Sequence, residues 1–321
     1  MKFLKLLLLL PIIALLTACG SGNDPLPELR MGTGGEGGMY YSYGTQLAKL
    51  VAADGKIRPI NVQATSGSAS NLRLFQEKVL DLAIVQSDTL SDAINKRGNF
   101  ANVDKAVNYA AVAAVYPEVC QIVVAKDSDI RTINDLVGKR VSISDRESGS
   151  MKNAEQILQA HGITNDMFSP LYMPFAEAAQ ALQDGLIDAF FVTVPVPSTP
   201  ITNLADKKEI RLLSISADAQ QKLMQLSGYT QYTIPANSYK GQTEEVSTIA
   251  VKAVLVANVE VPDKEISYLT EFVLTNADKL PHDKNIKPDV NFAVEDVPSA
   301  FHPGAAKFYK SQNVTVDSFK K

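Results

Sequence analysis

Histidine and cysteine are scarce in this 321-residue chain, which has three of the first and two of the second. His161, His282 and His302 are dispersed, so none has the spacing of a zinc site. The G-x-S-x-G segment that marks many serine hydrolases is missing as well. One cysteine, Cys19, stands ahead of the fold at the end of the apolar N-terminal stretch, which leaves Cys120 as the single thiol of the fold, with no partner for a disulfide there. Cys120 lies in the apolar run VCQIVVA, the setting of a small buried hydrophobe rather than a nucleophile. A basic excess is lacking too: the formal net charge is -4 and no Lys/Arg cluster stands out, which argues against a nucleic-acid partner. Beyond the N-terminal region there is no low-complexity tract. What is present is globular composition, 45% hydrophobic and 21% charged, enough for one large or two medium domains.

The first residues, MKFLKLLLLLPIIALLTACG, place Lys2 and Lys5 ahead of an apolar stretch from Leu6 to Leu16. That stretch is short for a membrane span and has the form of an export signal. Its end, Leu16-Thr17-Ala18-Cys19, resembles a bacterial lipobox, so residues 1–18 are expected to be removed and Cys19 to carry lipid. Residues 19–28, rich in Gly, Pro and polar side chains, would tether the fold to the membrane surface.

The rest repeats a loose plan. A strand near LRMG leads to a glycine loop and a helix from about Tyr40 to Ala52. IRPINVQAT, SGSAS with the helix LRLFQEKV, and LDLAIVQSD follow. The second copy runs KRVSIS, DRESGS, the helix MKNAEQILQAHG, SPLYMPF, the helix EAAQALQDG and IDAFFVTVP. Apolar strands alternating with helical patterns predict parallel α/β sheets, whose ligands gather beyond the carboxyl ends of the strands. Two such edges facing one another would make a cleft. The segment AVAAVYPEVCQIVVAKDSD is long enough to cross from one lobe to the other. VSTIAVKAVLVANV and the helices after it are expected to return to the first. The boundaries are therefore 29–116 for lobe I, 117–244 for lobe II and 245–321 for the returning segment of lobe I.

Gly32, Gly34 and Gly37 fit G-x-G-x-x-G, the fingerprint of dinucleotide sites. That fingerprint needs an acidic residue about 20 positions further on to hold a ribose. The second strand here ends Gln63-Ala64-Thr65, without a carboxylate. An exported lipoprotein would also rarely meet such a cofactor, and none is expected. Glycines before a helix start still let backbone N–H groups approach an anion, and a carboxylate suits them as well as a phosphate.

Taken in order, the motifs carry a family likeness. They are Gly32-Thr33-Gly34-Gly35 with Gly38 and Tyr40-Tyr41, Asn71-Leu72-Arg73, and Leu82-Ala83-Ile84-Val85-Gln86-Ser87-Asp88. Tyr116-Pro117-Glu118, Leu136-Val137-Gly138-Lys139-Arg140-Val141-Ser142 and Ser148-Gly149-Ser150 come next. Asp184-Gly185, Asp188-Ala189-Phe190-Phe191, Ile234-Pro235-Ala236 and His302-Pro303-Gly304-Ala305 complete the series. The chain resembles the TAXI group of TRAP-transporter solute-binding proteins. The resemblance implies a periplasmic-binding-protein type II fold, an α/β clamp of two lobes with a ligand cleft between them. It further implies capture of glutamate, glutamine or a small dicarboxylate, delivery to a cation-coupled TRAP permease in the membrane, and no catalysis. A lipid-anchored periplasmic monomer is the expected form.

The expected ligand contacts are Gly34, Gly35, Glu36, Met39 and Tyr40 in the first loop, and Ser66, Gly67 and Ser68 at the next helix start. Gln86 and Ser87 follow the third strand. Arg146, Ser148, Gly149, Ser150 and Thr193 come from the second copy. Glu36 is either a solvated turn residue or the partner of a ligand ammonium. Arg146 either binds a second carboxylate or forms a surface pair with Glu147. Arg73 is expected at the rim, Asp88 as a helix cap, and Asp81 and Asp188 as turn-holders. A sensing subunit built on the same clamp is the alternative to transport, and an exported enzyme is the opposing class.

Overall fold

A computed structural model describes residues 27–103, 106–281, 286 and 288–320. The export signal, Cys19, most of the tether and His282 lie outside the described residues.

Apolar runs make the strands and striped segments make the helices. β1 (Leu29–Gly32), α1 (Met39–Asp54), β2 (Ile60–Gln63), α2 (Ser68–Gln76), β3 (Leu82–Gln86) and α3 (Ser87–Ile94) form the first copy. β4 (Tyr109–Ala125) is a single long strand. The second copy comprises β5 (Arg140–Ser142), α4 (Gly149–Ala160), β6 (Ser169–Leu171), α5 (Phe175–Gln183) and β7 (Ala189–Val194). Then come α6 (Thr199–Ala205), β8 (Ile210–Leu212), α7 (Ala217–Leu223), β9 (Thr230–Ile234) and a second long strand, β10 (Val246–Asn258). α8 (Asp263–Thr275), α9 (Val290–Val294) and α10 (Pro303–Ser311) close the chain.

The duplication is visible in the pairing. β2-β1-β3 are parallel and β3 runs antiparallel to β10; β6-β5-β7 are parallel and β7 runs antiparallel to β4. β4 and β10 pair with each other along most of their lengths, so the two half-sheets join into one. The result is a two-lobed α/β architecture in which each half-sheet carries its own helices and core. β3 and β7 are buried along their whole length, which is why they read as continuous apolar runs rather than alternating ones.

Small devices set the elements. α1 buries Tyr40, Tyr43, Gly44, Leu47 and Val51, one stripe of a 3.6-residue period. It ends at Gly55, whose φ of 70° is left-handed and whose N–H returns to the Val51 carbonyl at 3.0 Å. In each copy an arginine on the first strand clamps the aspartate that opens the third. Arg30 donates from its backbone N–H, Nε and Nη2 to Asp81 at 2.8–3.0 Å, and Arg140 does the same to Asp188 at 2.7–3.1 Å. Each aspartate thus ties the start of its strand to the neighbouring first strand.

The apolar cores divide along the long strands. One core draws on 29–116 and 253–309; the other two, on opposite faces of the second half-sheet, draw on 119–251. β4 and β10 both cross between cores where Pro117 pairs with Lys252. Val246, Ile249, Ala250 and Val251 pack with the second lobe, so this division falls within β10, later than 244/245. Both strands run on through the crossing, where Pro117, Glu118 and Lys252 interrupt their apolar runs. Cys120 is buried just past it, and burial pushes its thiol up to about 12.

Candidate functional site

A cavity of about 210 Å³ lies between the lobes. Gly34, Gln86, Thr193 and Val194 reach it from the carboxyl ends of β1, β3 and β7. Four helices point their starts at it: Met39 and Tyr40 of α1, Ser68 of α2, Gly149 and Ser150 of α4, and Phe175 of α5. Their unpaired N–H groups and positive dipole ends give the space a donor-rich wall without a single cationic side chain.

The helix starts are held alike in both lobes. The Ser68 hydroxyl accepts the backbone N–H of Gln86 at 3.0 Å, and the Ser150 hydroxyl accepts that of Thr193 at 3.1 Å. Each bond ties the first turn of a helix to the end of a neighbouring strand. Asn71 adds a tie in the first lobe, donating to the carbonyls of Thr33 (2.7 Å) and Ile84 (3.0 Å). Ser148 caps α4 by accepting the Met151 N–H at 3.0 Å. Gly32, by contrast, is needed for packing. A Cβ there would stand 2.5 Å from Leu80 and 2.7 Å from Asn71, so the first glycine of the G-x-G-x-x-G match serves the fold.

The cleft is closed. The Ala69 N–H donates to the Glu147 carbonyl at 3.2 Å, and Arg73 pairs with the Glu147 carboxylate. Lys152 of α4 reaches Asp88 at 3.0 Å and Asp92 at 2.6 Å on α3, while the Asn153 amide donates to Asp88 at 2.9 Å. Asp88 is thus a buried cross-cleft acceptor rather than a helix cap, and α3 has no side-chain cap. Gly149 lets the lobes meet: a Cβ there would fall 1.9 Å from Gln86 Oε1.

Most of the residues expected from sequence come together on this cavity: Gly34, Gly35, Met39, Tyr40, Ser66, Gly67, Ser68, Gln86, Ser148, Gly149, Ser150 and Thr193. Three lie off it. Glu36 is exposed at the tip of a turn closed by the Gly38 N–H on the Gly35 carbonyl at 2.8 Å. Ser87 donates to the Gly228 carbonyl and accepts the Lys252 N–H, both at 3.0 Å, tying α3 to β10. Arg146 is exposed and stacks over the Tyr172 ring at 3.7 Å, and Glu147 turns to Arg73 instead of to it.

The sequence reading missed a carboxylate. Glu118 lines the cavity from the crossing on β4, is 3% exposed, and accepts the Tyr40 hydroxyl at 2.7 Å. Burial pushes its carboxyl up to about 8, against the hydrogen bonds of Tyr40 and Gln86 and helped by the charge of Asp88. Burial, then the Glu118 charge, pushes the Tyr40 hydroxyl far up, so Tyr40 stays a donor. A signal was there, since Glu118 is the one charged residue within Tyr109–Ala125. Asp145 and Glu177 also line the cavity, and burial followed by the Glu177 charge raises Asp145.

The sequence profile of the NMT1-like family matches residues 31–312, a span that takes in every lining residue of the cavity. The chain belongs to the NMT1-like family. Among solved structures, this NMT1-like protein is similar to an alkanesulfonate-binding protein from Xanthomonas axonopodis pv. citri bound to MOPS. The identity is 17%, the TM-score 0.49, and the match covers 78% of this chain and 72% of that one. It is also similar to a binding protein component of an ABC phosphonate transporter from Pseudomonas aeruginosa, at 12% identity and TM-score 0.49, covering 78% and 74%. A putative L-cystine ABC transporter protein from Listeria monocytogenes matches at 14% identity and TM-score 0.46, covering 78% and 92%. Among the described residues, no helix of this NMT1-like chain is long and apolar enough to cross a membrane.

Proposed function

We propose that this chain is an extracytoplasmic solute-binding protein of the TAXI type, capturing a small carboxylate-bearing ligand for a TRAP permease. The observation that carries the reading is the convergence of four helix starts on one interlobe cavity. Such starts hold an anion by N–H groups and dipole without a cationic side chain. The volume suits a molecule of amino-acid size, and glutamate and glutamine are the first candidates. The ligand-contact residues of this reading are those gathered on the cavity, with Glu118 added and Glu36, Ser87 and Arg146 set aside.

Bonds from α4 to α3 and from Glu147 to Ala69 and Arg73 bridge the cleft, so capture in this reading includes separation and return of the lobes. The two strands crossing at Pro117 and Lys252 supply a hinge between separately packed cores. The test joins a thermal-shift screen of amino acids and carboxylates to small-angle scattering. A ligand should raise the melting temperature and reduce the radius of gyration. Stabilisation without any compaction would remove the clamp from the reading.

The reading includes a lipid anchor on Cys19 that keeps the protein at a bacterial membrane. Cys19→Ser should move the protein from the membrane pellet to the soluble fraction. Equal partitioning of the two proteins would exclude the anchor.

A further inference from the structure

The ionisable side chains that line the cavity are all acidic. Glu118, Asp145 and Glu177 line it, and no Lys, Arg or His does. Cations on the surrounding segments are committed elsewhere: Arg73 to Glu147, Lys152 to Asp88 and Asp92, and Arg146 to the face of Tyr172. Glu118 is buried, and one of its oxygens is occupied by the Tyr40 hydroxyl at 2.7 Å. Beside it Gln86, also 3% exposed and lining the cavity, has an Oε1 with no hydrogen-bond partner. A buried carbonyl oxygen without a donor is costly, and so is a buried carboxylate without a cation.

We infer that Glu118 and Gln86 form a subsite for a protonated amine on the bound solute. An ammonium brings three donors and no acceptor. It supplies the positive charge that Glu118 lacks and a donor for Gln86 Oε1. Tyr40 holds the other carboxylate oxygen and so fixes the orientation of Glu118. Asp145 and Glu177 extend the same negative potential toward Ser148 and Phe175. The inference rests on the solute-capture reading and narrows its ligand class, with the helix starts taking a carboxylate and Glu118 the ammonium. A plain dicarboxylate brings no cation to favour ionised Glu118 and no amine donor for Gln86 Oε1. Among the described residues, no group of three His, Cys, Asp or Glu side chains is placed to hold a metal ion that could do the same work.

Five titratable or polar groups face Glu118: Tyr40 from α1, Gln86 at the end of β3, Asp88 on α3, and Tyr116 and Cys120 from β4 itself. With its carboxyl pushed up to about 8, Glu118 holds its proton in the empty site at neutral pH. Arrival of an ammonium favours the ionised form, so the proton leaves to solvent as the solute binds.

Calorimetry on the mature chain carrying Cys19→Ser tests this, with L-glutamate and L-glutamine set against 2-oxoglutarate and glutarate. The amine-bearing pair should bind about tenfold tighter or more, as loss of one charged hydrogen bond implies. Binding heats at pH 7 should differ between buffers of different ionisation enthalpy, reporting release of about one proton. Glu118→Gln should remove most of the preference and the proton release together. If that variant does not fold, Gln86→Leu should weaken the amine-bearing ligands and spare the others. Equal affinity for the deaminated ligands, or an unchanged preference in folded Glu118→Gln, would overturn the subsite and leave solute capture standing. Failure of a broad panel of amines, amino acids and carboxylates to bind at all would overturn both.

Discussion

Glu118 is held where a carboxylate is uncomfortable, and the consequence reaches stability as well as binding. Its carboxyl ordinarily titrates at 4.5 and in the fold at about 8. Below the lower value both folded and unfolded chains carry the proton. Between the two, the folded chain keeps it and the unfolded chain loses it, so unfolding releases a proton and stability falls as pH rises. The ligand-free protein should therefore lose stability from about pH 5 to pH 8, by up to a few kcal/mol. Each tenfold difference in proton affinity between the folded and unfolded chains is worth about 1.4 kcal/mol. Glu118→Gln keeps an acceptor for Tyr40 and has no proton to lose, so its stability should fall less steeply over this window, with the raised Asp145 still contributing. Urea denaturation of both proteins at pH 5 and pH 8 measures the difference. Parallel pH dependence in the two would mean that Glu118 is already ionised in the empty site. In sequence the residue looked like part of the crossing strand, because burial of a strand does not say which of its faces opens on a cavity. Glu36 misled for the converse reason. A loop of glycines brings its backbone to a ligand, while the one large side chain on it turns to water.

At the scale of elements, the two copies share bonds as well as order. Arg30 with Asp81 and Arg140 with Asp188 each join the first strand of a half-sheet to the third. Burial raises Asp81, but the Arg30 hydrogen bonds outweigh it and its carboxyl lies below the usual range. That stabilisation is present above the ordinary aspartate pKa and is lost as pH falls through the lowered one. Asp81→Asn should cost about 1–2 kcal/mol at neutral pH, a charged hydrogen bond discounted for partial exposure. The difference between the proteins should vanish in acid, and a pH-independent gap would point to packing instead. This plan was legible in the sequence, since LDLAIV and IDAFFV each place an aspartate before a run buried on both sides. The helix starts were legible too, because Ser and Gly before a striped segment announce a cap. What joined them across the cleft was not. Nothing local to Gly149 says that Gln86, on another lobe, closes to where its Cβ would be. Gly149 has no positive φ to protect, so Gly149→Ala should leave the empty protein as stable or slightly more so, by about 0.4–1 kcal/mol. It should nonetheless weaken ligand binding by about tenfold or more, because closure meets the new methyl group. Unchanged affinity would mean that Gln86 moves aside at little cost.

For the molecule as a whole, the question is what balances the open and closed forms. Lys152 and Asn153 on α4 converge on Asp88, whose side chain is fully buried in the closed cleft. Asp92 takes the second contact of the same lysine. These bonds exist only when the lobes meet, so they stabilise closure and contribute nothing to either lobe alone. In an open form Asp88 would regain water, which is why the pair can be strong yet reversible. Lys152→Met keeps the length of the side chain and removes the charge. It leaves Asp88 with the Asn153 amide and the Thr89 hydroxyl, at a cost to the closed form of about 1–3 kcal/mol. A ligand that binds the closed form must then supply that difference, and its apparent affinity falls in proportion to the closed population. The variant should bind roughly ten- to a hundredfold more weakly. Scattering at saturating ligand should recover the same compact radius. Binding as tight as that of the parent would show that Lys152 does not act on the motion between the lobes.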